Sequence, residues 1–165
     1  MYTISQRLKE IAGLVTVGSR VADIGADHGY LSIYLVKEGI ASFVYTCDIG
    51  EGPLNNARRN IEKSGVKNIE LRLCDGLDGI DPESVDTVII AGMGGDVISG
   101  IIERVPWIKA KNYTLILQPM PFLNPSLTAS LVFIVPDLQR NLTPHKTGRW
   151  WVLCFRAVNL AWVKS

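Results

Sequence analysis

Residues 21–30, VADIGADHGY, combine two glycines, two acids and a histidine within a short segment. Gly25 permits a tight turn and Gly29 permits the close approach of a helix or a ligand, as in nucleotide-binding loops between a strand and a helix. A dinucleotide-binding loop has the pattern GxGxxG, but Asp23 stands in place of its first glycine. Because a carboxylate repels a pyrophosphate and attracts a cation, the segment predicts a loop for a ligand that carries an amino group.

Two further acids follow apolar segments that indicate strands. Asp48 ends the second strand, where a carboxylate can accept from both hydroxyls of a ribose. Asp75 ends the third, where it can accept from the exocyclic amine of an adenine while the backbone of Gly76 and Leu77 contacts the ring edge. This arrangement resembles the S-adenosylmethionine (SAM) site of SAM-dependent methyltransferases, with Asp23 at the amino group of the methionine part. The other predicted cofactor-binding residues are Gly25, Ala26, Gly29, Tyr30, Ile49, Ala91 and Gly92.

Strands and helices alternate along the chain and place these residues at one edge of a sheet. Apolar runs predict strands at residues 20–24, 43–47, Ile69–Leu73, 85–90 and 113–117. Helical spacing and end signals, among them Ser5, Pro53 and Gly65, predict helices at residues 5–15, 30–38, 54–64 and 96–105. The alternation indicates a doubly wound, Rossmann-like α/β fold with buried strands, mostly parallel, in which ligands bind at the carboxyl ends of the strands.

The last part of the chain differs from the rest. Residues 121–144 contain four prolines and two charged residues, without a convincing amphipathic helix. A final strand is predicted at residues 150–158, antiparallel in the sheet and paired with residues 131–135. We therefore expect one domain over residues 1–165, in which residues 120–165 form an atypical C-terminal part.

Length and composition are those of a globular domain. The chain has 165 residues, 47% of them hydrophobic, and a net charge of +1, which excludes a disordered, fibrous or disulfide-framed protein. Asp137 is the one acid after Glu103, so the second part is basic and fits an anionic partner. The cysteines and histidines lack the spacing of metal ligands. Every apolar run is well short of the length of about 20 residues that a helix needs to cross a bilayer. We expect a cytoplasmic protein without a metal or a membrane partner.

Several segments resemble the bacterial tRNA (adenine-N1)-methyltransferases that modify position 22 of tRNA. They are ISQRL, DIGADHGYL, DIGEGPLNNARRN, CDGL, IIAGMGG and LILQP. The resemblance extends in register over residues 4–119 and thins after Pro119. It implies a class I methyltransferase domain that uses SAM as cofactor and tRNA as substrate, and we expect a monomer.

The resemblance also implies a pocket for the target adenine at residues 91–95, AGMGG. Met93, Gly94 and Gly95 are the predicted substrate contacts, because glycines admit a base to the backbone and Met93 can pack on its face. A plain turn into the next helix is the alternative. Gln118, at the end of the fifth strand, can hydrogen-bond a base edge or act as a polar strand-end cap.

Methylation at N1 of adenine requires mainly positioning, because N1 is an unprotonated nucleophile at neutral pH. Asp27 and His28, in the loop beside the methyl donor, are the predicted catalytic residues. Asp27 can accept from the 6-amino group while positive charge develops on the ring, and His28 can shuttle a proton. A structural role is the alternative for Asp27, which can cap the helix that follows Gly29.

Two further functions stay open beside that of a tRNA methyltransferase. Members of the family continue with a charged C-terminal helical extension that helps to hold tRNA, whereas this sequence ends at Ser165. A SAM-binding remnant without productive tRNA docking is therefore one alternative, and a methyltransferase that acts on another substrate is the second. An altered reading frame within residues 120–150 would explain the proline-rich stretch.

Overall fold

The structure is a computed structural model that describes residues 3–109, 113–120, 141–144 and 151–156. Within these ranges, four α-helices and seven strands form an α/β domain. The helices are α1 (Gln6–Gly13), α2 (Tyr30–Lys37), α3 (Glu51–Ser64) and α4 (Gly95–Glu103). The strands are β1 (Ser19–Ile24), β2 (Ala41–Asp48), β3 (Ile69–Leu73), β4 (Thr87–Met93), β5 (Thr114–Pro119), β6 (Asn141–Pro144) and β7 (Trp151–Arg156).

The strand order of the sheet is β3-β2-β1-β4-β5-β7-β6, and the first five strands in this order are parallel. The chain moves outward from β1 to β3 and then returns to the other side of β1 as β4. β7 pairs antiparallel with β5, with Leu117 opposite Leu153, and β6 pairs antiparallel with β7. The predicted doubly wound, Rossmann-like α/β fold is confirmed, and its switch point lies at the carboxyl ends of β1 and β4.

Local end signals determine where the helices begin and end. The Ser5 hydroxyl caps α1 by accepting from the backbone N–H of Leu8 at 3.4 Å. α3 ends at Ser64 and is followed by the C-cap residue Gly65, whose φ of 73° is the left-handed conformation that glycine tolerates. α3 begins at Glu51, so Pro53 lies in the first turn, where a missing N–H costs no intrahelical hydrogen bond.

Apolar side chains cover both faces of the parallel sheet, as the alternation of side chains along a strand requires. On one face the core includes Ile24 of β1, Ile90 of β4, Leu117 of β5 and Ile98 of α4. On the other face it includes Val21, Ile89, Ile116, Ile11 of α1 and Leu35 of α2. This two-sided core holds the carboxyl ends of β1 and β4 in fixed positions.

The expectation that every strand is buried was wrong for β3. Its residues are half-buried or exposed, and Leu73 keeps 55% of its surface accessible. β3 lies at the edge of the sheet, so it has one neighbouring strand and less cover than the central strands.

Some of the sequence predictions fall on residues that the structure does not describe. The strand expected at residues 131–135 lies outside the described residues, as does most of the stretch for which an altered reading frame was considered. Across the part of the chain that the structure describes, no helix is long and apolar enough to cross a membrane.

Candidate functional site

A cavity of about 140 Å³ opens at the switch point, between the carboxyl ends of β1 and β4. α1 contributes Arg7 and Leu8 to its wall, and β1 with the following loop contributes Asp23 and residues 25–28. The other lining residues are Tyr30, Leu31 and Ala91. The fold therefore brings the predicted glycine loop and the first predicted acid to one cavity.

Asp23 is the most buried acid of this site, with 3% of its surface exposed. The hydroxyl of Ser32 donates to Asp23 Oδ2 at 2.7 Å, and the hydroxyl of Thr46 donates to Ser32 Oγ at 2.8 Å. Burial raises the pKa of Asp23 from 3.8 to about 6, although the hydrogen bonds from Ser32 oppose the shift. At neutral pH the site thus presents an oriented carboxylate that a cationic ligand would stabilise.

The loop between β1 and α2 has left-handed backbone at Gly25 (φ 70°), Asp27 (φ 46°) and Gly29 (φ 68°). The N–H groups of Gly25 and Ala26 donate to the carbonyl of Cys47 in β2, at 2.9 and 3.1 Å. A Cβ atom at Gly29 would lie 3.2 Å from the Cβ atom of Ala57 in α3, so this position is close-packed. The loop is tied to β2 and α3, and its two tied amides serve the fold rather than a ligand.

Asp27 and His28 form an exposed acid–base pair at the cavity. Asp27 Oδ2 lies 3.4 Å from His28 Nε2, and the two side chains are 64% and 44% exposed. The His28 ring stacks on the Tyr30 ring with 5.3 Å between centroids. The alternative that Asp27 caps α2 was wrong, because Gly29 is the N-cap residue and no side chain caps that helix.

Among the described residues, no three His, Cys, Asp or Glu side chains lie close enough together to hold a metal ion.

Asp48, the last residue of β2, is hydrogen-bonded to the loop between β1 and α2. Its Oδ1 accepts from the N–H of Gly50 at 2.9 Å, and its Oδ2 accepts from the N–H of Asp27 at 3.3 Å. Each carboxylate oxygen can accept a further hydrogen bond. The neighbouring Ile49 is 70% exposed, which is unusual for an aliphatic side chain and leaves an apolar surface beside Asp48.

Asp75 has a partner that the sequence did not indicate. Arg104, the residue that caps the C-terminus of α4, donates to both carboxylate oxygens of Asp75 at 2.9 Å and holds the pKa of Asp75 below its usual range. The predicted backbone contacts Gly76 and Leu77 are both buried, Leu77 with 1% of its surface exposed, so the expectation that their backbone contacts the adenine ring is corrected. A ligand at this strand end must share Asp75 with Arg104.

Met93, which was predicted to pack on the face of the target base, contacts the loop after β1. Its side chain packs on Gly25, where its Cε atom occupies the space that a Cβ atom at Gly25 would need. β4 continues past residue 90 through an irregularity at Gly92, whose φ is 77°. Gly94 is exposed, whereas Gly95 is buried in the first turn of α4. Met93 thus supports the loop after β1, and Gly94 is the more accessible of the two predicted glycine contacts.

Gln118 does not face an open pocket. It is 2% exposed, its Oε1 accepts from Arg7 Nη1, and its Nε2 donates to the carbonyl of Pro119 at 2.7 Å. The expectation of a base-edge contact is therefore corrected, since both ends of the amide are used within the protein. Arg7 was missed as a site residue. Its one sequence indication is its place in the segment ISQRL, which resembles the family but suggests no role.

Known proteins are similar to this chain over most of its length. A family model described as "Methyltransferase domain" matches residues 4–125. The tRNA (adenine(22)-N(1))-methyltransferase of Bacillus subtilis is 40% identical over 117 residues, which are 70% of this chain and 49% of that protein. The chain thus spans about half the length of this relative. A ribosomal protein L11 methyltransferase of Caldanaerobacter subterraneus is 32% identical over 68% of this chain and 36% of that protein.

Solved structures share the fold. The B. subtilis M1A22 tRNA methyltransferase TrmK aligns with a TM-score of 0.82 at 32% identity, covering 96% of this chain and 68% of that chain. M. capricolum TrmK in complex with S-adenosyl-homocysteine (SAH) aligns with a TM-score of 0.78 at 26% identity, covering 98% of this chain and 72% of that chain. Because the family model matches well over half of its residues, the chain belongs to the methyltransferase domain family.

Proposed function

We propose that this chain is a SAM-dependent methyltransferase that methylates N1 of an adenine in tRNA. The observation that carries the proposal is the oriented carboxylate of Asp23, 3% exposed at the switch point beside the glycine loop. A buried acid of raised pKa in a cleft is typical of a binding or catalytic site. The amino group of a methionine moiety is a cation that suits it.

The acids at the three strand ends fit the three parts of SAM. Asp23 would bind the ammonium group, and Asp48, with acceptor capacity left on both oxygens, would bind the ribose hydroxyls. The exposed Ile49 would pack on the adenine, whose exocyclic amine would donate to Asp75. When bound, SAM supplies a methyl group that its sulfonium activates for transfer.

The relatives support the cofactor and the substrate class. The B. subtilis relative is named a tRNA (adenine(22)-N(1))-methyltransferase, and M. capricolum TrmK was solved with SAH, the natural cofactor product. We extend SAM and tRNA to this chain as part of the proposal.

Asp27 and His28 are the proposed catalytic residues. Methyl transfer to N1 places positive charge on the adenine ring, and the exposed Asp27 carboxylate at the cavity can accept from the 6-amino group. His28, with Nε2 at 3.4 Å from Asp27, can pass a proton on to solvent. Asp27→Asn should lower the turnover rate about 100-fold while SAH affinity stays within about twofold.

A SAM-binding remnant without productive tRNA docking is the second candidate. The described cavity, with Asp23 and the glycine loop, accounts for binding of the cofactor and contains no residue that by itself requires tRNA.

Two measurements, made one after the other, test the proposal. Calorimetric titration with SAM tests the cofactor, and transfer of a labelled methyl group to tRNA transcripts tests the substrate. A transcript with guanine in place of the adenine at position 22 is the matched control. Binding of SAM with labelling of the adenine transcript supports the proposal, binding without labelling favours the remnant, and absence of SAM binding refutes both.

A further inference from the structure

Arg7 has no role in the function proposed so far, although it lines the same cavity as Asp23. We infer that Arg7, positioned by Gln118, binds the carboxylate of the amino acid part of the cofactor. This inference rests on the proposed use of SAM. It makes the cavity a site for a zwitterion, with an acid for the ammonium group and an arginine for the carboxylate.

Gln118 orients Arg7 through a buried contact. With 2% exposure, the Gln118 amide cannot reach bulk water, and its Nε2 donates to the carbonyl of Pro119 at 2.7 Å. That bond fixes the amide so that Oε1 accepts from Arg7 Nη1. Gly92 lies alongside, because a Cβ atom there would be 3.4 Å from Arg7 Nη1. The ends of β4 and β5 thus hold the guanidinium of a half-buried α1 residue at the cavity.

The partner of Arg7 is neutral, which leaves its charge available. A guanidinium has five N–H donors, and the Gln118 carbonyl accepts from one of its nitrogens without cancelling the positive charge. Asp75 shows the contrast, because Arg104 pairs with it as an ion. An arginine that is held by an amide is suited to a planar carboxylate, which it can bind through two parallel hydrogen bonds.

The charges of the cavity favour a zwitterionic ligand over an RNA phosphate. Among the described lining residues, Arg7 is the one permanent cation, and Asp23 and Asp27 are the acids. An RNA phosphate could pair with Arg7 but would bring no cation for Asp23, so two anionic groups would lie side by side in the cavity. An α-amino acid group carries an ammonium and a carboxylate on the same carbon atom, so one small cavity with an acid and an arginine can bind both.

The test compares two ligands that differ only in the amino acid part. SAH has it, whereas 5′-methylthioadenosine keeps the adenosine and the sulfur but lacks the ammonium and the carboxylate. Arg7→Ala should weaken SAH binding about 10- to 100-fold in calorimetric titration, as expected for loss of a charge-assisted hydrogen bond, and leave methylthioadenosine affinity within about twofold. Arg7→Lys, which keeps the charge without the fork, should fall between Arg7→Ala and the unchanged chain.

Two further variants separate charge from positioning. Arg59→Ala removes an exposed arginine of α3 outside the cavity and should leave both affinities unchanged. Gln118→Met keeps the buried volume but removes the acceptor, and it should weaken SAH binding less than Arg7→Ala does. Thermal melts followed by circular dichroism verify that each variant is folded.

The outcomes distinguish this inference from the proposed function. If the unchanged chain fails to bind SAH, both the proposed function and this inference are wrong. If it binds SAH and Arg7→Ala binds equally well, or loses SAH and methylthioadenosine affinity in equal proportion, the inference alone is overturned. Retained SAH binding with loss of tRNA binding in Arg7→Ala would overturn it in favour of a phosphate contact.

Discussion

Replacing Asp23 with asparagine should make the ligand-free protein more stable at neutral pH while it removes a contact to the cofactor. The carboxyl group is 3% exposed, and burial raises its pKa from 3.8 to about 6. The folded protein therefore binds this proton more tightly than the unfolded chain does. The cost of ionisation is absent below pH 3.8, grows as the pH rises and is fully present above about 6.

The separation of the two pKa values sets the size of the effect. At about 1.4 kcal/mol per unit, the shift of Asp23 from 3.8 to about 6 corresponds to roughly 3 kcal/mol at neutral pH. Asparagine has nearly the same shape without the charge, and its carbonyl oxygen can accept from the hydroxyl of Ser32. Its amide group gains no assured partner, so we expect Asp23→Asn to raise the free energy of unfolding by about 1–3 kcal/mol.

Urea unfolding of both proteins at several pH values measures this difference. The advantage of Asp23→Asn should be largest above pH 6 and should fall to zero or below as the pH approaches 3.8, where only the cost of the unpartnered amide remains. Glu62→Gln, an exposed acid on α3, is the matched control and should change the free energy of unfolding by less than about 0.5 kcal/mol. Calorimetric titration should show that Asp23→Asn binds SAM about 10- to 100-fold more weakly.

Two results would refute the reasoning. A variant that is less stable than the unchanged protein above pH 6 would mean that the Asp23 carboxylate is not strained by burial. A stability difference of constant size across the pH range would mean that titration of Asp23 is not its cause. Equal SAM affinity would separately remove Asp23 from the cofactor site.

Three more predictions follow from the same site. Asp48→Ala should weaken SAH and methylthioadenosine about equally, by roughly 10-fold or more in calorimetric titration, because both ligands contain the ribose. Gly25→Ala should lower the free energy of unfolding in urea by about 1–3 kcal/mol, since its Cβ atom would overlap the methyl group of Met93 at a φ of 70°. Met93→Ala in the same chain should recover only part of this loss, because the backbone strain stays. SAM affinity should fall by up to about tenfold per pH unit below pH 6, as protonation of Asp23 competes with the ligand ammonium.

The elements and the first part of the site could be predicted because they depend on neighbouring residues. The cap of α1 joins Ser5 to Leu8, and Gly65 ends α3 through its own backbone conformation. Likewise, the acid and glycine spacing around Asp23 and Gly25 was visible within ten residues of sequence. Such patterns are local consequences of hydrogen-bond spacing and backbone freedom.

Contacts across the fold could not be predicted in the same way. Arg7 and Gln118 are 111 positions apart, and the packing of α1 against the sheet brings Arg7 beside the end of β5. The ion pair between Arg104 and Asp75 spans 29 positions and depends on where α4 ends against the third strand end. No local pattern specifies which distant side chain fills such a position.

By itself, the sequence determined the alternation of strands and helices, the glycine loop and the acids that end the first three strands, because these depend on periodicity and on residue type. The tertiary structure alone decided which of these groups a ligand can use. Packing desolvates Asp23 and raises its pKa. It also places Gln118 within hydrogen-bond distance of Arg7 and Met93 in contact with the loop after β1. Desolvation and the choice of partner arise when distant segments meet, and both are therefore properties of the folded chain.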